Sequence, residues 1–105
     1  GGTRHNYLPV TDDNDNLLGE IDLTKIRNVI FRTELYHRFT VRQLMTLPPA
    51  RLTTAEPMEQ VMRAFDKTGA DYLPVVSAEG HLVGYISRTR MYTMYRQVIR
   101  DYSTE

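Results

Sequence analysis

The sequence predicts an α+β fold made from a β-α-β-β-α unit that occurs once in full and once in part. Three observations carry the prediction. The phrase "YLPVTDDNDNLLGEID", Tyr7 to Asp22, returns as "YLPVVSAEGHLVGYIS", Tyr72 to Ser87, and a shift of 65 places superposes the two without a gap. Eight of the 24 positions from Tyr7 to Ile30 are then identical, where chance gives about one or two. The segment "AEPMEQVMRAFDKTG" carries apolar residues at helical spacing. Finally, 105 residues at 41% hydrophobic content supply one modest core, so both copies belong to one small domain.

Each copy of the phrase reads as a hairpin followed by a helix. "YLPVV" and "HLVGYI" are short and rich in aliphatic and β-branched residues, and "SAEG" between them is turn-forming, with Gly80 free to take positive φ. In the first copy "TDDND" fills the turn, its Asp and Asn side chains able to bond back to their own backbone. Pro9 and Pro74 stand near the start of their strands, where a missing N–H does least damage. Gly19 and Gly84 interrupt apolar strands and mark a bulge or a close backbone approach. Asp22 and Ser87 stand where they can cap a following helix. After Ser87, Met91, Tyr95, Val98 and Tyr102 fall on one helical face, with Arg88, Arg90, Arg96 and Arg100 mainly off it and solvated.

Between the copies, "TVRQLM" from Thr40 to Met45 predicts a short capped helix, and "LPPARLTT" a proline-rich link with a short extended segment. In the next helix Pro57 suits the first turn. Met58, Val61, Met62 and Phe65 form the buried stripe, and Gly69 ends the helix in left-handed geometry. The second unit therefore spans 40–105, and 3–39 holds the C-terminal half of the first unit plus a connecting segment. The counterpart of Thr40 would precede residue 1, and Gly1-Gly2 reads as an added leader, so a longer parent protein is expected. A missing helix that leaves a few hundred Å² of sheet in water costs on the order of 10 kcal/mol at ~25 cal/mol per Å². Self-association is the expected remedy.

Composition narrows the function. Thirteen basic and thirteen acidic residues cancel, which removes a general attraction to nucleic acid or anionic lipid. There is no cysteine for disulfides or thiolate chemistry, and no run of about 18 apolar residues for a membrane span. His5, His37 and His81 are scattered without helical partners, so no metal site is expected. "DDNDN" lacks the glutamate of a calcium loop and reads as a polar turn. No nucleophile elbow or phosphate loop is present, and no enzyme activity is expected.

"LPVV", a turn and "HLVGYIS", preceded by "TVRQLM" and "EPMEQVMRAFDKTGADY", resemble a CBS domain, a small repeat that occurs in tandem pairs about a pseudo-two-fold axis. The resemblance implies a CBS-domain pair with its first repeat truncated at the N-terminal half. More narrowly, "LTKIRNVIFRTELYHRFTVRQLM" and "SRTRMYTMYRQVIRD" resemble the C-terminal cytoplasmic CBS pair of bacterial CLC-type chloride channels and chloride/proton antiporters. That likeness implies a regulatory, dimer-forming tail at the cytoplasmic face of the bacterial inner membrane. Its partners would be a second copy and the membrane transport domain of the same parent chain, with neither nucleic acid nor direct lipid insertion. The alternative is an adenosine-nucleotide-sensing module of another transporter or of a soluble enzyme.

In the family, the nucleotide cleft carries glycine, two apolar residues, serine or threonine, two variable residues and an aspartate that accepts from the ribose hydroxyls. Here "GYISRTR" supplies Gly84 and Ser87 but places Arg90 at the aspartate position, and "GEIDLTK" places Asp22 and Lys25 at the paired positions. A guanidinium or ammonium has only donors and cannot accept from a diol. Losing such a charge-assisted bond costs about 1.5–3 kcal/mol, more than tenfold in affinity. No cofactor is therefore expected, and an adenosine nucleotide in the usual pose is disfavoured. Tyr7 and Tyr72, Ser87, Lys25 and Arg90 are the candidate cleft residues, the tyrosines for stacking on a base and the basic pair for an anion or an ion pair with a nearby acid.

Overall fold

The computed structural model describes residues 6–35 and 37–103. Gly1-Gly2 and His5 fall outside the described residues. Two compact units divide at Pro48–Pro49. This division follows contacts, whereas the 39/40 boundary follows the phase of the repeat. The two differ because the segment that opens the second repeat is tied into the first unit.

In the first unit, β1 (Tyr7–Thr11) and β2 (Leu17–Asp22) form an antiparallel pair with Tyr7 opposite Asp22 and Val10 opposite Gly19. The register slips between Val10 and Thr11, a bulge beside the glycine as the sequence suggested. Then come α1 (Arg27–Ile30), a 3-10 turn (Thr33–Leu35) and α2 (Val41–Leu44). The expected cap of α2 is present as a full capping box: the Gln43 N–H donates to the Thr40 hydroxyl, and the Thr40 N–H to the Gln43 side chain. Just beyond, Thr46 and Glu20 exchange two backbone hydrogen bonds of 2.8 Å each. A Cβ on Gly19 would stand 2.9 Å from the Thr46 carbonyl oxygen and 3.0 Å from the Met45 Sδ, so glycine is required there by close approach.

The helix expected directly after Asp22 is displaced. Asp22 accepts from the Thr24 N–H through its carboxylate and from the Lys25 and Ile26 N–H groups through its carbonyl, closing a turn. Side-chain bonding two residues ahead competes with helix propagation, so α1 begins only at Arg27, with no side-chain cap.

The second unit is a complete layer. β3 (Leu52–Thr53) runs parallel to β4 (Tyr72–Val76), which pairs antiparallel with β5 (Leu82–Ser87), in the order β3-β4-β5. A parallel neighbour needs a crossover, and α3 (Met58–Thr68) supplies it. Pro57 sits at its N-cap, one position earlier than expected, and Gly69 ends it at φ 70°. α4 (Arg88–Tyr102) follows β5, with the Ser87 hydroxyl accepting the Arg90 N–H at 3.0 Å. The core is Leu52, Val61, Phe65, Leu73 and Met91, with Met58 and Met62 packed against it. The predicted α3 stripe is thus the stripe observed.

Two expectations about this unit need correction. Of the predicted α4 face only Met91 is buried; Tyr95 is half-buried, and Val98 and Tyr102 are exposed. Arg88 is not a solvated arginine: its guanidinium donates to the Phe65 carbonyl at 2.9 Å and to Asp66 at 3.4 Å, capping the end of α3. No buried side-chain nitrogen or oxygen among the described residues lacks a hydrogen-bond partner.

Candidate functional site

The candidate residues sit at the same place in each unit, where the second hairpin strand gives way to the turn or helix after it. Pairing puts Tyr72 opposite Ser87 and Tyr7 opposite Asp22, both tyrosines half-buried. Three residues on from Ser87 lies Arg90, in the first turn of α4; three on from Asp22 lies Lys25, in the turn before α1. Tyr72 thus lies across a strand pair from Ser87 and Tyr7 from Asp22, with Arg90 and Lys25 each three residues further along the chain.

The chemistry of the two trios differs. Ser87 has committed an oxygen lone pair to capping α4 but keeps its hydroxyl proton for an acceptor. Asp22 brings a carboxylate where a phosphate-binding hydroxyl would stand, and that carboxylate already accepts the Thr24 N–H. The side chains of Lys25 and Arg90 are exposed. Among the described residues neither makes an ion pair, so the nearby acid expected as a structural partner is not seen. Both positions hold a donor-only cation facing solvent.

A second concave feature was not anticipated. A groove of about 270 Å³ runs between α3 and α4, lined by Glu59, Met62, Arg63, Asp66 and Tyr95. Of these, Asp66 accepts from the Tyr92 hydroxyl at 2.8 Å and from Arg88, while the Arg88 guanidinium lies 5.7 Å from the Tyr92 ring centre. The bond to Asp66, with lesser contributions from desolvation and the carboxylate's charge, holds the Tyr92 phenol above its ordinary pKa. The sequence signal was the row Glu59, Met62, Arg63 and Asp66, spaced three, one and three along α3.

Among the described residues no group of three or more His, Asp or Glu could hold a metal, and no helix is long and apolar enough to cross a membrane.

The family model for the CBS domain matches residues 41–94. Among solved structures, the CBS-pair protein CBSX2 from Arabidopsis thaliana is 28% identical, with 90% of this chain and 73% of that one covered and a TM-score of 0.68. CBSX2 in complex with AMP is similar at the same identity, over 89% and 73% of the two chains, with a TM-score of 0.70. Staphylococcus aureus OpuCA, 23% identical over 90% of this chain and 76% of its own, shares the fold at a TM-score of 0.70. No curated protein matches by sequence. The α+β fold of a truncated CBS pair is thereby established, and proteins of this kind are generally regulatory, non-catalytic modules.

Proposed function

The chain belongs to the CBS-domain family, and from that premise we propose that it is a regulatory module that biases a transport domain through movement of its repeats. The finer reading is that of a cytoplasmic tail of a bacterial CLC-type chloride channel or chloride/proton antiporter, held at the inner face of the membrane by the rest of the parent chain. It is supported by the likeness of the Leu23–Met45 and Ser87–Asp101 segments to that tail. The observation that carries the mainly structural role is the pair of exposed cations, Lys25 and Arg90, at the two positions where a ribose-binding carboxylate would stand. A ligand can bias such a module only through a difference in affinity between two arrangements.

One observation favours a second reading, nucleotide sensing: a relative 28% identical has been solved with AMP. Titration calorimetry of the 105-residue chain with AMP and ATP separates the two. The structural reading expects no heat of binding at millimolar nucleotide, and saturable binding abolished by Ser87→Ala would overturn it in favour of sensing. In the parent transporter, deleting the module is expected to change the rate or gating of chloride flux without abolishing flux.

A further inference from the structure

The thirteen basic and thirteen acidic residues cancel only as a sum. Within the first unit, residues 6–22 hold Asp12, Asp13, Asp15, Glu20 and Asp22 and no basic residue, whereas residues 23–48 hold Lys25, Arg27, Arg32, Arg38 and Arg42 against Glu34 alone. All five cations are exposed, and among the described residues none of them makes an ion pair. The same stretch exposes Phe31, Leu47, Val41 and Phe39, at 76%, 73%, 53% and 43%. A single exposed apolar side chain is ordinary, but four interleaved with five cations make more than a solvated charged face.

We propose that this stretch, Lys25 to Leu47, docks on a membrane surface that carries anionic phospholipid, with its cations on headgroup phosphates and its exposed apolar side chains at the headgroup boundary. Four of the five cations are arginines, whose planar fork matches two oxygens of a phosphate. Segments that lie on membranes join Lys and Arg with Phe and Leu in this way, and each cation near an anionic surface adds about fivefold in affinity. The apolar set also chooses between polyanions. Val41 and Leu47 are aliphatic and suit acyl chains, whereas a single nucleic-acid strand rewards rings that stack on its bases.

A complete first repeat would leave this surface open. At the 65-residue register Phe31 and Arg32 stand where Arg96 and Gln97 stand, and both of those are exposed on α4 of the complete unit. Phe39, Val41 and Leu47 lie in the segment between the repeated phrases. The contact is adsorption without a span: α1 and α2 have four residues each, and the phenyl rings reach no deeper than the headgroup boundary. The inference rests on the proposed placement beside a membrane and adds to it the surface that faces the lipid.

Co-sedimentation of the 105-residue chain with lipid vesicles tests it. The chain is expected to bind vesicles of phosphatidylcholine and phosphatidylglycerol in equal parts, and to bind phosphatidylcholine alone at least about tenfold more weakly. Raising salt from about 0.1 M to about 1 M, which shortens the screening length from about 10 Å to about 3 Å, is expected to weaken binding more than tenfold. Arg32→Gln and Arg42→Gln are each expected to weaken it about fivefold, and Phe31→Ala by a similar factor. Arg42→Lys, which keeps the charge, is expected to retain most of the binding. Arg100→Gln, the same loss of charge at an exposed site on α4, is the control and is expected to change binding by less than about twofold. No binding to either vesicle, equal binding to both, indifference to salt, or a loss at Arg100 as large as at Arg42 overturns the proposal. So does a single-stranded oligonucleotide that binds more tightly than the vesicles and is released by Arg42→Gln, since the partner would then be a nucleic acid. Nucleotide calorimetry and chloride flux do not depend on these outcomes, so failure here is distinct from failure of the regulatory reading.

Discussion

Asp12 and Ser77 stand 65 residues apart and organise the two hairpin turns in the same way with different chemistry. The Asp12 carboxylate accepts the N–H groups of Asn14 and Asn16, and the Ser77 hydroxyl those of Glu79 and His81. Asp12 and Ser77 each donate their own N–H across the loop, to the carbonyls of Asn16 and His81. Asp15, at φ 66°, occupies the left-handed position that Gly80 fills at φ 91°. The bulge falls between Val10 and Thr11 in one hairpin and between Val75 and Val76 in the other. Two sequences that differ at every turn position thus converge on one backbone, because the turn needs only an acceptor at its first residue and a residue tolerant of positive φ at its fourth.

Beyond the hairpins the likeness ends. The second unit sets a helix of 11 residues before its hairpin and one of 15 after it, and these close a core, whereas the first continues from its hairpin into a turn and two helices of four residues each. The largest expected effect comes from that asymmetry. Phe65 is fully buried at the centre of the second core and touches the elements that the first unit lacks. Phe65→Ala is expected to cost about 3–5 kcal/mol in urea unfolding, a large part of the stability of a chain this size. Leu8→Ala, at an exposed site in β1, is expected to stay within about 0.5 kcal/mol. Equal losses at the two positions would mean that Leu8 is covered in solution.

The parts legible in the sequence were those where local chemistry and the repeat agree. The 65-residue register placed both hairpins and their bulges; the capping box at Thr40 and Gln43, the α3 stripe and the Gly69 stop came from short-range rules. The start of α1 was missed because the Asp22 carboxylate that could cap a helix instead closes a turn with Thr24. Arg88 was missed because nothing local shows that the end of α3 offers the Phe65 carbonyl to it from 23 residues away. Of the candidate site, the repeat register gives the positions of Tyr72, Ser87 and Arg90 in one copy and of Tyr7, Asp22 and Lys25 in the other. The α3–α4 groove depends on how two helices pack, which spacing within either helix does not fix.

Gly19 and Gly84 sharpen the comparison at an intermediate scale. They occupy the same repeat position beside the same bulge, and the sequence offers no reason to separate them. Around Gly19, Met45 and Thr46 leave no space for a Cβ, and the nearest atom is a backbone oxygen that cannot swing away. Gly19→Ala is expected to destabilise by about 1–3 kcal/mol, the range for overpacking. A Cβ on Gly84 would meet nothing within 4 Å, and its φ is not positive. Gly84→Ala is expected to stabilise by about 0.4–1 kcal/mol by reducing the freedom of the unfolded chain. Opposite signs in thermal unfolding are the expected result; equal signs would mean that the Thr46 bridge does not hold in solution.

The smallest effect concerns a contact with no counterpart in the first unit, the bond from the Tyr92 hydroxyl to Asp66. Residue 27, where Tyr92 would be echoed, is an arginine. The bond to a carboxylate raises the Tyr92 pKa above 10.0, since ionising the phenol would remove the donor and place a second negative charge beside Asp66. A group whose folded pKa is raised contributes stability that is complete below its unfolded pKa, and the contribution fades as pH rises through the folded value. The tie is therefore intact at neutral pH and is lost in alkali. Ultraviolet titration is expected to show a late-ionising tyrosine component that Tyr92→Phe removes. In thermal unfolding, that variant is expected to be slightly less stable than wild type at about pH 8. The two should begin to converge as pH rises past about 10 and meet above the raised folded value, where the wild type has lost the same bond. A difference unchanged across that range would show that Tyr92 acts through packing against Arg88 and not through its hydroxyl.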